Sequence, residues 1–262
     1  MKNLALALAF CFFMPLLSKS QETDSIEKTS FSNEVLGLDQ ENKLLPNKVL
    51  FKRMIGPALL ITYGAFSVDN SYVKGLNSSW RNEVIAMHLG QTDIDDYTQL
   101  APVALVYSLN FSGVKGTNSI GDITIIGASA FIISSAIVRP LKQLTAVRRP
   151  DGSNDHSFPS GHTSTAFVSA QFMYREYRDK NFLLSLAGYP FAIYTALYRT
   201  VNDKHWLGDI VAGAGIGIAS TELAYYLLPH LKNLFKSISK KNVIIYPLYQ
   251  ASAYGLGVNV RL

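Results

Sequence analysis

Apolar residues gather in six stretches, at about 54–69, 99–114, 120–139, 162–176, 182–198 and 206–229, separated by polar or Pro-, Gly- and Asn-rich connections. None shows the alternation of a half-buried strand, so the pattern predicts an all-α domain over 53–232 built as a six-helix bundle. Small residues crowd two of the stretches: Gly127 to Ala130 with Ser134, Ser135 and Ala136, and Ala212 to Gly215 with Gly217, Ala219 and Ser220. Such stripes let helices approach closely, inside a membrane or outside one. Several stretches run only 15 to 17 residues and include Asn, Asp or Tyr. A bilayer crossing needs ~20 apolar residues, so a polytopic bundle and a compact domain lying on the membrane both stay open. The period changes near the C-terminus, where Tyr254, Leu256, Val258, Val260 and Leu262 alternate with Gly255, Gly257, Asn259 and Arg261. With Val243 to Tyr249, this predicts a short β-hairpin or strand in the segment 240–262.

The two ends of the helical region read differently. Lys2, the apolar run Leu4 to Leu17, and Ser18 and Ser20 at a small-x-small position have the layout of a secretory signal peptide over 1–20. Residues 21–52 follow as a polar N-terminal arm. Of the 262 residues, 48% are hydrophobic and 16% charged. Soluble domains average ~25% charged, so the composition excludes a disordered or coiled-coil chain and leans toward membrane contact. Net charge is +5, and only +3 for a chain beginning at Gln21, because Lys2 and Lys19 are the sole charges before it. The cations are scattered among acids, so the reading includes no nucleic acid partner. Cys11 is the single cysteine, which excludes a disulfide framework and a cysteine metal site.

Three segments at the ends of apolar stretches hold the polar residues that a helical core otherwise excludes. In Lys142 to Pro150 (KQLTAVRRP), Lys142 and Arg149 are seven apart. That spacing predicts two cations on one helix face, with Pro150 stopping the helix. In Phe158 to Phe167 (FPSGHTSTAF), Ser160 is placed to cap a helix and Gly161 opens its first turn to a ligand. A helix start with free N–H groups and a hydroxyl binds anions. In Arg199 to Asp209 (RTVNDKHWLGD), His205 and Asp209 are four apart, so the carboxylate can hold one ring nitrogen and leave the other as a nucleophile. Each segment alone has a plainer reading: a solvated basic helix end, a common Ser-Gly turn, a helix-stabilising pair. Together, two histidines, three cations, a carboxylate and an opened helix start suit one task, holding a tetrahedral oxyanion between two imidazoles.

The pattern Lys, six residues, Arg-Pro, then Pro-Ser-Gly-His, then Arg, five residues, His, three residues, Asp resembles the three-part signature of the type 2 phosphatidic acid phosphatase and vanadium haloperoxidase superfamily, in its membrane-associated lipid phosphatase branch. The resemblance covers about residues 55–230. It implies the helical bundle of that family and a metal-independent phosphatase without a cofactor. It further implies that His205 attacks phosphorus to give a phosphohistidine, that Asp209 orients it, and that His162 protonates the leaving group. Lys142, Arg149, Ser160, Gly161 and Arg199 would hold the phosphate. Two positions depart from the pattern. Tyr198 stands where a serine is usual before the third-segment arginine, and only eight residues separate Pro150 from Pro159, which leaves little room for an inserted lid.

The expected substrate is a phosphomonoester or pyrophosphate of a lipid, with selectivity lodged in the arm and in residues 71–98. A broad-specificity periplasmic acid phosphatase, a vanadium-dependent haloperoxidase and a non-catalytic membrane protein are the rivals. The expected location is a bacterial cell envelope with the site facing the periplasm. If the chain is outside at residue 21 and the next three stretches all span, the loop 149–162 faces the cytoplasm instead. An outward site then requires one stretch, such as 99–114, not to span, or a domain that is not polytopic. His156 is a candidate for lining the site mouth, His88 and His230 read as surface residues, and Trp206 is expected to pack behind the site, with Trp80 a candidate interface anchor.

Overall fold

The computed structural model describes residues 47–240, 243–250 and 253–260; the expected signal peptide and residues 21–46 of the arm lie outside them. The described residues form nine helices: α1 (Asn47–Asp69), α2 (Ser71–Ala86), α3 (Asp95–Thr98), α4 (Ala101–Phe111), α5 (Ile120–Thr145), α6 (Gly161–Tyr177), α7 (Phe182–Leu186), α8 (Tyr189–Val201) and α9 (Leu207–Lys240). Two strands, β1 (Val243–Gln250) and β2 (Ala253–Val260), pair antiparallel in the register Tyr249 with Tyr254. The chain is mainly helical.

Side-chain caps set several helix starts. Asn70 accepts from the N–H groups of Tyr72 and Val73, Ser119 from Asp122, and Asn181 from Leu184. Helix α6 is the hub, with thirteen of its 17 residues buried. One side of it joins Val106, Ile123, Ile126, Ala130 and Ala224 around Phe172 and Tyr177; the other packs Ala166, Phe167 and Ala170 against Ala192, Ala196, Ile210 and Ala214. The small-residue stripe of the last apolar stretch is where α9 crosses α6. A Cβ at Gly213 would fall 2.6 Å from the Ser160 carbonyl, and one at Gly217 would collide with the Ser164 carbonyl. These two glycines let the backbone that presents Ser160 and His162 rest directly on α9.

Three features correct the expected layout. The count of six helices fails because α2, whose sequence is too polar to form an apolar stretch, is a full helix, and because the run 182–198 breaks. Pro190 sits in the first turn of α8, where its missing N–H costs nothing, and Gly188 separates α8 from the short α7. Helix α1 begins at Asn47 and α9 runs on to Lys240, so helix occupies six residues assigned to the arm and extends past 232. Helix α5 stops at Thr145, with Ala146 left-handed at φ 46°. Arg149 therefore lies on a loop and not on one helix face with Lys142, because the residue before Pro150 is driven out of the helical region.

Packing pairs fix the helix directions. Gly64 meets Ala212 and Gly215 meets Pro57, so α1 is antiparallel to α9; Ser134 meets Ser164 and Gly127 meets Phe172, so α5 is antiparallel to α6. Since α9 runs alongside α6 in the same sense, α1 and α5 both end where α6 and α9 begin. Helix α4 returns the chain from that end, where Thr98 meets Thr195, to the other, where Asn110 meets Tyr177. At 11 residues α4 is shorter than the helices long enough to cross a membrane. Among the described residues, the helical segments Lys48–Asp69, Ile120–Thr145 and Leu207–Leu234 are long and apolar enough to cross a membrane. Phe51, Ile55, Leu59 and Phe66 on α1 and Ile132, Ile137 and Leu144 on α5 are exposed, an apolar surface that suits lipid. The protein is membrane-associated.

Candidate active site

All three chemistry-bearing segments meet at the end where α1, α5 and α8 finish and α6 and α9 start. Ser160 caps α6: its Oγ accepts from the Thr163 N–H, and its own N–H donates to the Asp209 carbonyl at 3.0 Å, tying the second segment to the third. Lys142, in the last turn of α5, donates from Nζ to the His156 carbonyl at 2.7 Å and the Ser157 carbonyl at 3.3 Å. Arg149 is held by its backbone, its N–H donating to the Asn154 carbonyl while its carbonyl accepts from Gly152 N–H. The loop between Pro150 and Pro159 is further pinned by an ion pair of Arg148 with Asp155 and by Ser157 N–H on the Val147 carbonyl. Arg199 ends α8 in a buried position.

His205 lies two residues before α9 and is fully enclosed, with 1% exposure. Its Nδ1 stands 3.5 Å from Asp209 Oδ2, close enough for charge coupling but without a hydrogen bond. That carboxylate oxygen accepts from Ser157 Oγ at 2.5 Å and from the Trp206 N–H at 2.9 Å, so Asp209 is fixed by two donors. Burial lowers the imidazole pKa to about 4 against the pull of Asp209, and the charges of Lys142 and Arg199 act in the same direction as burial. His205 is consequently a neutral imidazole at neutral pH, the form that has a lone pair to give.

The cations are close enough to press on one another. Burial, followed by the charge of Arg199, lowers the pKa of Arg149. Nε of Arg149 and Nε of Arg199 are both buried without a partner. Buried donors left open cost about 1–3 kcal/mol each, more when charged, and such a cost is offset when an anion enters. Gly161 adds no side chain at the start of α6, where a Cβ would only reach ordinary contact with Lys142 and Val138.

Sequence reading did not single out the carboxylates that face these groups. The one-turn α3 turns Asp95 inward, where it accepts from Arg199 Nη1 at 2.7 Å and from Asn202 Nδ2 at 3.1 Å. Its neighbour Asp96 meets His162 Nε2 at 2.7 Å. The acidic string Asp93, Asp95 and Asp96 directly before an apolar stretch was the available signal. Helix α2, also missed, clamps the third segment: Asn77 Oδ1 accepts from Gly208 N–H, Trp80 Nε1 donates to Thr200 Oγ1, and Arg81 pairs with Asp203. Trp80 is thus a brace within the fold. Trp206 donates from Nε1 to the Arg148 carbonyl, bridging two site loops. His156 is exposed beside Lys142, and His88 and His230 are exposed. Tyr198 stacks on Tyr194 with ring centroids 4.3 Å apart.

Parts of this chain are similar to known proteins. Residues 124–232 match the model of the PAP2 superfamily. The chain is 36% identical over 137 residues to Lipid A 1-phosphatase of Porphyromonas gingivalis, covering 52% of this chain and 31% of that protein. It is 37% identical over 70 residues to Lipid A 1-phosphatase of Helicobacter pylori, covering 27% of this chain and 35% of that one. The chain therefore spans about a third of the length of these relatives. Among solved structures, Aquifex aeolicus LpxE aligns with a TM-score of 0.39 at 16% identity, covering 72% of this chain and 99% of that one. A PAP2 type phosphatidylglycerolphosphate phosphatase from Bacillus subtilis aligns with 0.42 at 18%, covering 71% and 97%. The stretch that resembles the PAP2 superfamily, residues 124–232, holds all three segments.

Proposed function

We propose that the chain is a metal-independent lipid phosphatase acting through a phosphohistidine. The observation that carries this reading is the enclosed, neutral His205 facing three cations whose buried Nε donors on Arg149 and Arg199 have no partner. Lys142, Arg149 and Arg199, with Ser160 and the N–H groups opened by Gly161, neutralise the three equatorial oxygens of a phosphoryl group. His205 Nε2 attacks phosphorus in line, the Asp209 carboxylate 3.5 Å from Nδ1 offsets the charge that grows on the ring, and the bond to the leaving oxygen breaks as His162 gives that oxygen a proton. Water, deprotonated by His162, then splits the phosphorus–nitrogen bond and releases phosphate. The relatives' name suggests the 1-phosphate of lipid A as substrate.

Release of phosphate by the purified protein in detergent, with chelator present, tests the reading on lipid A 1-phosphate, phosphatidate, undecaprenyl pyrophosphate and p-nitrophenyl phosphate. Release from lipid substrates that vanadate abolishes is expected. Preference for the small phosphate points to a broad-specificity acid phosphatase, and halide oxidation with bound vanadate to a haloperoxidase. Absence of both activities points to a non-catalytic protein.

The site is further proposed to face the periplasm. The orientation follows the resemblance, and Lys48, Lys52 and Arg53 on α1 with Lys115, Arg178 and Lys180 at the turns after α4 and α6 then lie at the cytoplasmic end. In this orientation α1 brings the chain to the site end from the cytoplasmic side. A cysteine at exposed Ser153, in a Cys11→Ser background, is expected to react with an impermeant maleimide while the inner membrane is intact. Reaction only after permeabilisation reverses the orientation.

A further inference from the structure

The assigned parts of the cage leave one contact unused. His162 is the proton donor in the proposed reaction, and its Nε2 lies 2.7 Å from Asp96 Oδ1, with side chains 34% and 52% exposed at the mouth of the site. The contact is held by fixed neighbours. Asp95 is completely buried against Arg199 and Asn202. Asn202 also exchanges two hydrogen bonds with the backbone of Thr92, and Thr98 meets Thr195 on α8. The turn carrying both carboxylates is thereby fastened to the end of α8, which leaves Asp96 in register with the first turn of α6.

We propose that Asp96 is the positioning residue of His162, forming with it a second carboxylate–imidazole pair beside that of Asp209 and His205. This rests on the proton-donor role proposed for His162. Asp96 accepts from Nε2–H, so Nδ1 carries the proton that passes to the leaving oxygen. Afterwards the neutral ring keeps its Nε2 proton on Asp96, and Nδ1 is free to take a proton from water. The charged groups facing the ring are Arg199 on α8 and Asp95 and Asp96 on α3, with Lys142 of α5 beside Gly161. Burial and Arg199 act to strip the imidazolium of its proton, and Asp96 opposes them.

The test follows the titration of His162 in full-length protein labelled at histidine with nitrogen-15, in detergent micelles, with His162→Gln to assign the resonance. Asp96→Asn is expected to lower the midpoint by about one pH unit, and Asp96→Glu to keep it near the wild-type value. On the best lipid substrate, the alkaline limb of kcat should move to lower pH in Asp96→Asn by a similar amount, with kcat reduced about ten-fold or more and KM little changed. Asp96→Glu should restore most of kcat. An unmoved midpoint overturns the pairing. A midpoint that moves without the kcat limb overturns its part in the reaction. If the wild type releases no phosphate, the phosphatase reading fails, while the midpoint still reports whether the pair exists.

Discussion

Replacing His205 with alanine should lower kcat at least about a thousand-fold on every substrate, while binding of vanadate, read by protection against thermal unfolding, persists. The separation follows from the division of labour in the cage. In the proposed reaction Lys142, Arg149 and Arg199 supply the charge that attracts the anion, whereas the buried His205 supplies the lone pair. The same group sets the acid limb. With its pKa at about 4, the proposed nucleophile should stay unprotonated well below pH 6, and the acid limb of kcat/KM should fall near pH 4. The stability consequence has a definite sign. The unfolded imidazole takes up its proton near pH 6.5 and the folded one only near 4, so His205 costs stability progressively as pH falls between those values and nothing above them. An acid limb near 6.5 with unchanged stability across this window would contradict the enclosed, neutral assignment.

The second large effect is structural. Asp95→Ala should destabilise the protein by about 3–5 kcal/mol, because it removes the buried partner of Arg199 and leaves a guanidinium charge uncompensated. A surface pair would contribute about 0–1 kcal/mol, so the size of the loss distinguishes the two cases. Inorganic phosphate or vanadate should recover part of it, since an anion in the cage faces the same guanidinium. Thermal unfolding in detergent, with and without vanadate, reads both quantities. A loss under about 1 kcal/mol, or one that vanadate does not reduce, would mean that Arg199 does not depend on Asp95 and does not meet the anion.

Local chemistry made the centre of the site legible in the sequence. Ser160 caps α6 as a serine before an apolar run should, the His205–Asp209 spacing brings the two side chains together, and the glycine and alanine stripe of α9 is a close helix crossing. What escaped depends on partners distant along the chain. Asp95 and Asp96 gain their roles only when Arg199 and His162, 104 and 66 positions away, are folded against them. Helix α2 escaped for a related reason: its buried face carries Asn77, whose Oδ1 accepts from the backbone of the distant Gly208. The spacing of Lys142 and Arg149 misled in the other direction. Seven residues suit two helical turns, yet the helix ends at Thr145 and the loop delivers Arg149 to the same cage.

The covalent step is the most direct test of the account. The purified enzyme is mixed briefly with a lipid substrate labelled in its phosphate, quenched in alkali, where phosphohistidine survives, and mapped by peptide mass spectrometry. The account predicts phosphate on His205 in wild type, its accumulation in His162→Ala supplied with a substrate whose leaving group needs no proton, and none in His205→Ala. Turnover with no phosphate on His205 in either active form, or label on another residue, would contradict it.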